Sequence, residues 1–450
     1  MPTVKKLVII GCAGMGGPAA MMTKRMDPAV DVTLIREEEH FLTRCAVPYI
    51  AVEQATVAAS VKDDGMFHTA GVNLVKAPAT SINRKEKTVT TADGAVYPYD
   101  TLILATGGKA IVPPIPGVDL EGVFTVRWSS DAENIRNWIK EKRVRNAVVY
   151  GAGACGLEMA YLISQKGVKV TVVVRSYIGR TVGLDTDMSS ELEHHFAEKG
   201  VVIRSRAVIT KILGEKVVEA VELSTGEKIA ADMVIVALGV RPRAELAETA
   251  GLEMGEYGVQ VNEYLQTSDP DIYAGGDLIE YECEITRKPV LGQIRPNAVI
   301  GGRIAAKNIL GYGIKFPRLL NSFAAKMFDK SIASVGITEA IAKEEGFDVF
   351  VAKKSAKSKH VMIEGGKPYT VKLLFERTTK KVIGAQIVAD DERSVRYIDV
   401  ISLAIRNGWT ARDLTTLRCA GQPELSPEPS AEPIALAAED AFKELYPLPR

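Results

Sequence analysis

The sequence predicts an α/β chain made of two strand–helix–strand units and a separate C-terminal α+β domain. Three observations predict it. A β-rich apolar run, Lys6–Ile10, enters the glycine turn Gly11-Cys12-Ala13-Gly14-Met15-Gly16. A second run, Ala147–Tyr150, enters Gly151-Ala152-Gly153-Ala154-Cys155-Gly156. From about Phe323 the texture changes to alternating strands with flanking helices, the pattern of an α+β domain.

After the first turn, Ala19–Met26 is expected as a helix and Val30–Ile35 as a second strand, completing a βαβ unit. The second turn leads into a helix, Leu157–Gln165, and a strand, Lys169–Val174. One glycine fingerprint is a weak signal, but two in the same strand-to-helix context, about 140 residues apart, are strong. A pyrophosphate needs close backbone approach and free N–H groups, which a glycine turn at a helix N-terminus supplies. Both units are therefore expected to be Rossmann-like and dinucleotide-binding. Between them, Thr101–Gly107 is a buried strand ending in glycine, and Pro113-Pro114-Ile115-Pro116-Gly117 is a linker. Met233–Leu238 repeats the strand-then-glycine pattern with Gly239, and Ile272–Asp277 is a strand tip carrying an acid. Thr370–Phe375 and Val382–Val388 are expected strands, and Ile434–Leu445 a final helix.

At 450 residues the chain exceeds what one hydrophobic core usually organises. Lys+Arg and Asp+Glu each total 56, so nothing supports a nucleic-acid partner or attraction to an anionic membrane. A small-molecule partner is expected. Lys5-Lys6 and the following apolar run imitate the start of a secretory signal, but the run is too short and continues into the glycine turn. No window approaches the roughly 18 apolar residues of a membrane helix, and a cytoplasmic location is expected. The five cysteines are scattered, with no Cys-x-x-Cys pair, so neither a metal site nor a disulfide framework is expected.

Together these residues resemble the pyridine nucleotide–disulfide oxidoreductase superfamily, in particular its single-cysteine branch of coenzyme A disulfide reductases, NAD(P)H oxidases, NADH peroxidases and persulfide reductases. The resemblance covers nearly the whole chain. It implies a discontinuous FAD-binding domain (1–115 and 250–322), an NAD(P)H-binding domain (116–249) and a C-terminal dimerisation domain (323–450) forming a homodimer. It also implies that Gly11, Ala13, Gly14 and Gly16 hold the FAD pyrophosphate, with Thr106 and Gly107 on the strand returning to that domain. Arg127 is implied to approach FAD and Asp277 to bind the ribityl chain. Gly151, Gly153, Gly156 and Gly239 would serve the nicotinamide cofactor, with Glu158 near its nicotinamide.

The segment Phe41-Leu42-Thr43-Arg44-Cys45-Ala46-Val47-Pro48-Tyr49 resembles the active-site stretch of the single-cysteine branch, where Cys-x-x-Pro-Tyr opens a helix beneath the flavin. The dipole of such a helix stabilises a thiolate, and Arg44 is expected to assist. Where two-cysteine relatives carry their second cysteine stands Ile50, so Cys45 must pair with substrate sulfur or be oxidised by peroxide. Oxidase and peroxidase members carry a histidine in the first glycine turn; Gly14 stands there. The resemblance thus implies an FAD-dependent oxidoreductase passing a hydride from NAD(P)H to a disulfide, persulfide or polysulfide at Cys45. An NAD(P)H oxidase and an electron-transfer component docking on a protein partner are the alternatives.

Further departures bear on specificity. An acid at the end of the first unit would bind the FAD ribose, but the register places Arg36 there, with Glu37 substituting through a one-residue bulge. At the matching position of the second unit stands Val174, followed by Arg175 and later Arg180, which favours NADPH over NADH. His360-Val361-Met362-Ile363 lacks the tyrosine of coenzyme A disulfide reductases, and Gln422, near Cys419, replaces a histidine of relatives. A CoA-linked disulfide remains one candidate substrate. Lys353, Lys354, Lys357 and Lys359 form a run that is first a solvated face and alternatively a contact for a CoA phosphate.

Overall fold

In the computed structural model, which describes residues 4–447, the first glycine-turn strand lies at the centre of a five-stranded parallel sheet. The order is Ile272–Ala274, Thr101–Leu104, Lys6–Ile10, Asp31–Arg36, Val72–Lys76. The second sheet, also parallel, runs Val123–Thr125, Met233–Val236, Asn146–Tyr150, Lys169–Val174, Val202–Ser205. Parallel strands are covered on both faces, so they are continuous apolar runs rather than alternating ones. Thr101–Leu104 and Met233–Val236 are accordingly buried at every position.

The two units are joined where their strands end. Gly108–Ala110 pairs antiparallel with Val240–Pro242, tying the segment after one sheet to the segment after the other. Both turn helices begin earlier than the apolar periodicity suggests, at Gly16 and at Ala154. The turns feed straight into helix, and small residues there carry no periodic signal.

The C-terminal region is a five-stranded antiparallel sheet, ordered Phe323–Met327, Lys330–Gly336, Val382–Ala389, Pro368–Glu376, Val349–Lys357. Helices Tyr397–Arg406 and Pro433–Leu445 pack on it. The last helix has Pro433 in its first turn, and the Glu432 carboxylate accepts from the N–H groups of Ile434 and Ala435. A charged node fastens this sheet to the second parallel unit. The Lys372 ammonium, 1% exposed, lies 2.6 Å from Asp187 and 3.1 Å from Asp185, and also pairs with Glu339. Asp185 further accepts from the backbone N–H groups of Glu339 and Ala340. Among the described residues no helix is long and apolar enough to cross a membrane.

Candidate functional site

The two glycine turns are the same device built twice. Gly11 and Gly151 have φ of 100° and 115°, a left-handed region that favours glycine. A Cβ on Gly11 would lie 2.2 Å from the Ala105 carbonyl oxygen, and one on Gly151 would lie 2.3 Å from that of Ala237. The last glycines are equally confined, since a Cβ on Gly16 or Gly156 would overlap the carbonyl of Gly11 or Gly151. Ala13 and Gly153 hold the middle position of each turn. No side chain caps either following helix, so dipole and backbone N–H groups face the turn.

Around the first turn the chain gathers distant segments. Helix Arg295–Ile309 brings Ala298 to where a Cβ on Gly14 would meet it at 3.0 Å and one on Gly276 at 3.5 Å. Asp277 follows in a 3-10 turn, Gly276–Leu278. Its carboxylate accepts from Arg127 Nη2 at 2.9 Å, with both side chains mostly buried. A Cβ on Gly107 would lie 3.5 Å from the same guanidinium. Arg127 Nε and Gln293 Nε2 are buried with no hydrogen-bond partner among the described residues. Glycine turn, uncapped helix and orphaned donors fit a dinucleotide that carries phosphates and hydrogen-bonding ring atoms.

The ends of the second strands differ from the expected pattern. Asp31–Arg36 runs in unbroken register beside both neighbours, so the bulge expected before Glu37 is absent. Arg36 is the last strand residue and turns inward, where its fork binds Asp64 at 2.7 and 2.9 Å. The Arg36 fork holds the Asp64 carboxyl at about 2. Glu37 follows directly and pairs with Arg243 at 2.8 Å, while Thr106 Oγ donates to the Arg243 carbonyl. In the second unit Val174 is buried and Arg175 exposed, whereas Arg180 is occupied by Glu344 at 3.0 Å. Arg206 is brought alongside by its N–H, which donates to the Ser176 carbonyl.

Cys45 is exposed, but it does not open a long helix. It sits in a 3-10 turn, Arg44–Ala46, ahead of a five-residue helix, Val47–Ala51. The contacts of Arg44 lie away from the thiol. Its guanidinium pairs with Glu38, donates to the Arg127 carbonyl at 3.2 Å and lies 4.2 Å over the Trp128 ring. One turn beyond Cys45, Tyr49 faces Glu158 across the boundary between the units. Burial raises the Glu158 carboxyl above its ordinary range, and burial and then the Glu158 charge raise the Tyr49 hydroxyl.

The other thiols are unlike Cys45. Burial pushes Cys12 and Cys155 up to about 12 and Cys419 up to about 11. Three of the four lysines in the 353–359 run are ion-paired within the chain: Lys353 with Asp187, Lys354 with Asp440 and Lys359 with Glu424. Their ammonium groups are thus engaged within the chain rather than free for a phosphate. Trp128, Asp131, Gln293, Ala298 and Arg206 escaped the sequence reading. Pro296 at the start of a good helix pattern was a signal for Ala298's helix; the others left none.

The model of the pyridine nucleotide-disulphide oxidoreductase family matches residues 5–301, and that of the family's dimerisation domain matches residues 323–432. An NADH oxidase of Methanocaldococcus jannaschii is 34% identical, over 98% of this chain and 99% of the relative. An NAD(P)H coenzyme A polysulfide/persulfide reductase of Pyrococcus horikoshii is 32% identical, over 94% and 96%. Among solved structures, a NAD-dependent persulfide reductase from A. fulgidus superposes with a TM-score of 0.92 at 33% identity, covering 98% of this chain and 83% of its own. With its paired glycine turns and its C-terminal antiparallel domain, the chain belongs to the pyridine nucleotide-disulphide oxidoreductase family, whose members use FAD and NAD(P)H.

Proposed function

We propose that this protein reduces low-molecular-weight disulfides, persulfides or polysulfides with NADPH, reacting through Cys45. The observation that carries the reading is the exposed, free Cys45, the one exposed thiol among the described residues, with Ile50 where an internal partner would stand. The P. horikoshii relative named for polysulfide and persulfide reduction supports the same substrate class. A side chain at Gly14 would press on Ala298 Cβ at 3.0 Å, which leaves little room for a histidine that would assist oxygen chemistry.

In this reading residues 1–115 and 250–322 bind FAD, 116–249 bind the nicotinamide cofactor, and 323–450 form the homodimer interface. When bound, FAD supplies the two-electron redox chemistry. Gly11, Ala13, Gly14 and Gly16 would hold its pyrophosphate, and Asp277 and Arg127 its ribityl side. Gly151, Gly153 and Gly156 would hold the second pyrophosphate, with Glu158 beside the nicotinamide. Among the described residues Arg175 and Arg206 form no ion pair at the end of Lys169–Val174, which supports a 2′-phosphate and hence NADPH. The Cys45 thiolate attacks one sulfur of R–S–S–R, forming Cys45–S–S–R and releasing RS⁻. Two electrons then return Cys45 to thiolate and release the second RS⁻. The scattered, free cysteines support a cytoplasmic setting.

Anaerobic titration of the holoenzyme tests the reading. NADPH should reduce the flavin, and sodium tetrasulfide or CoA disulfide should reoxidise it in the wild type but not in Cys45→Ser. Rapid oxygen consumption without any disulfide, retained in Cys45→Ser, would sink it.

A further inference from the structure

We infer that Arg44 is a positioning residue for Cys45, anchoring the thiol's turn to the Arg127–Trp128 peptide rather than supplying charge to the sulfur. The inference rests on Cys45 being the reacting thiol. The turn Arg44–Ala46 has little of its own to hold it. It is three residues long and exposes Cys45, and Ala46 N–H bonds back to the Thr43 carbonyl. The Arg44 side chain supplies what the backbone does not.

Three contacts fix the Arg44 guanidinium. Glu38 pairs with Nη2, the Arg127 carbonyl accepts from Nη1, and the guanidinium carbon lies 4.2 Å over the Trp128 ring. Arg243 approaches the same ring at 5.9 Å. Burial lowers the Arg44 pKa, and the charges acting on it are Glu38, Arg127 and Asp277. Its charge is thus spent on the anchor.

The anchor point is itself immobilised. Asp131 Oδ2 accepts from Arg127 N–H at 2.7 Å, Trp128 N–H at 3.0 Å and Thr125 Oγ at 3.1 Å. Arg127 is the crossing: its carbonyl receives Arg44, and its guanidinium binds Asp277. Helix Val47–Ala51, leaving the thiol on the other side, packs on helix Ser129–Lys142. The thiol is therefore held from both sides by one element of the nicotinamide-binding half, in fixed relation to the residues proposed to hold the flavin. A lysine cannot replace this contact, because only a planar guanidinium stacks and donates at its edges at once.

The test uses FAD-loaded Arg44→Gln, Arg44→Lys, Trp128→Leu and Cys45→Ser enzymes. Stopped-flow measurement separates flavin bleaching by NADPH from reoxidation by sodium tetrasulfide, and iodoacetamide alkylation of Cys45 is followed against pH. Bleaching should be unchanged, while reoxidation falls about 10–100-fold in both Arg44 variants and in Trp128→Leu, as expected when a reacting group is misplaced by about 1 Å. The alkylation midpoint should stay at its wild-type pH. A midpoint raised in Arg44→Gln and restored in Arg44→Lys would overturn positioning in favour of electrostatic activation. Normal reoxidation in Trp128→Leu would also overturn it, including when Arg44→Gln fails to retain FAD. Wild-type reoxidation in Cys45→Ser would instead defeat the proposed function itself.

Discussion

Arg127 and Asp277, 150 residues apart in the chain, meet at 2.9 Å beside the first glycine turn. The pair joins the start of helix Ser129–Lys142 to the strand tip after Ile272–Ala274, and so couples the two parallel units. Asp277→Asn keeps an acceptor oxygen but removes the negative charge opposite a mostly buried guanidinium. FAD affinity should fall about 10–100-fold, each tenfold step being about 1.4 kcal/mol. Arg127→Ala should weaken FAD too, and the double variant should lose less than the two losses combined, because the residues act on one another. Fluorescence titration of apoenzyme with FAD measures all three.

The thiols should separate cleanly by reactivity. At about pH 8 a thiol with a pKa near 12 is thiolate in roughly one molecule in ten thousand, and one near 11 in roughly one in a thousand. Cys12, Cys155 and Cys419, pushed up to about 12, 12 and 11 by burial, should resist brief alkylation of the native enzyme. Exposed Cys45 should take the label. Peptide mass mapping after a short iodoacetamide pulse decides it. Prominent labelling of Cys419 would show that its thiol is more accessible and more acidic than its burial implies.

What was legible in the sequence follows a physical rule. Gly11 and Gly151 could be read because backbone conformation and a 2.2–2.3 Å approach to a carbonyl leave no alternative residue. The exposed position of Cys45 agrees with the segment marked by Pro48 and Tyr49, whereas the short turn around it left no sequence signal. Arg36 misled: a cation at an expected acid position is explained by Asp64, 28 residues on, to which it binds inward. The Arg44–Trp128 stack and the Lys372 node are equally long-range. Such pairings depend on two side chains meeting in space and leave no period or local motif behind.

Lys372 should be among the most sensitive positions for stability. Burial opposes its charge, but the hydrogen bonds of Asp187 and Glu339 outweigh burial and raise its pKa above 10.5. Lys372→Met would leave Asp185, Asp187 and Glu339 facing one another without a cation. Only Asp185 of the three is buried, while Asp187 and Glu339 are about half exposed, so the cost should fall below the about 3–5 kcal/mol of a fully buried broken pair. The urea midpoint should fall, and adding Asp185→Asn should recover part of the loss. The sign of the pH dependence follows from the raised pKa. The contribution is complete below the unfolded lysine value and disappears as pH rises through the folded one, so the wild-type and Lys372→Met curves should converge in strong alkali.

Nucleotide choice should turn on the end of strand Lys169–Val174. Val174 is buried and offers no carboxylate to a ribose 2′-hydroxyl, while Arg175 is exposed beyond it. Ser205 lies opposite Val174 in the next strand, and Arg206 follows it. A 2′-phosphate placed there could pair with Arg175 or Arg206. Val174→Asp with Arg175→Ala reverses that environment, adding an acceptor that repels phosphate and removing a donor that pairs with it. The NADPH-to-NADH ratio of kcat/KM should fall about 10–100-fold, or about 1.4–2.8 kcal/mol. The loss should appear chiefly in KM for NADPH, because the changed groups lie far from the reacting atoms and bind ground and transition states alike. Arg206→Ala alone should move the ratio in the same direction by a smaller factor. An unchanged ratio in both variants would show that the nucleotide is selected elsewhere, and steady-state kinetics with each nucleotide at saturating tetrasulfide distinguishes the outcomes.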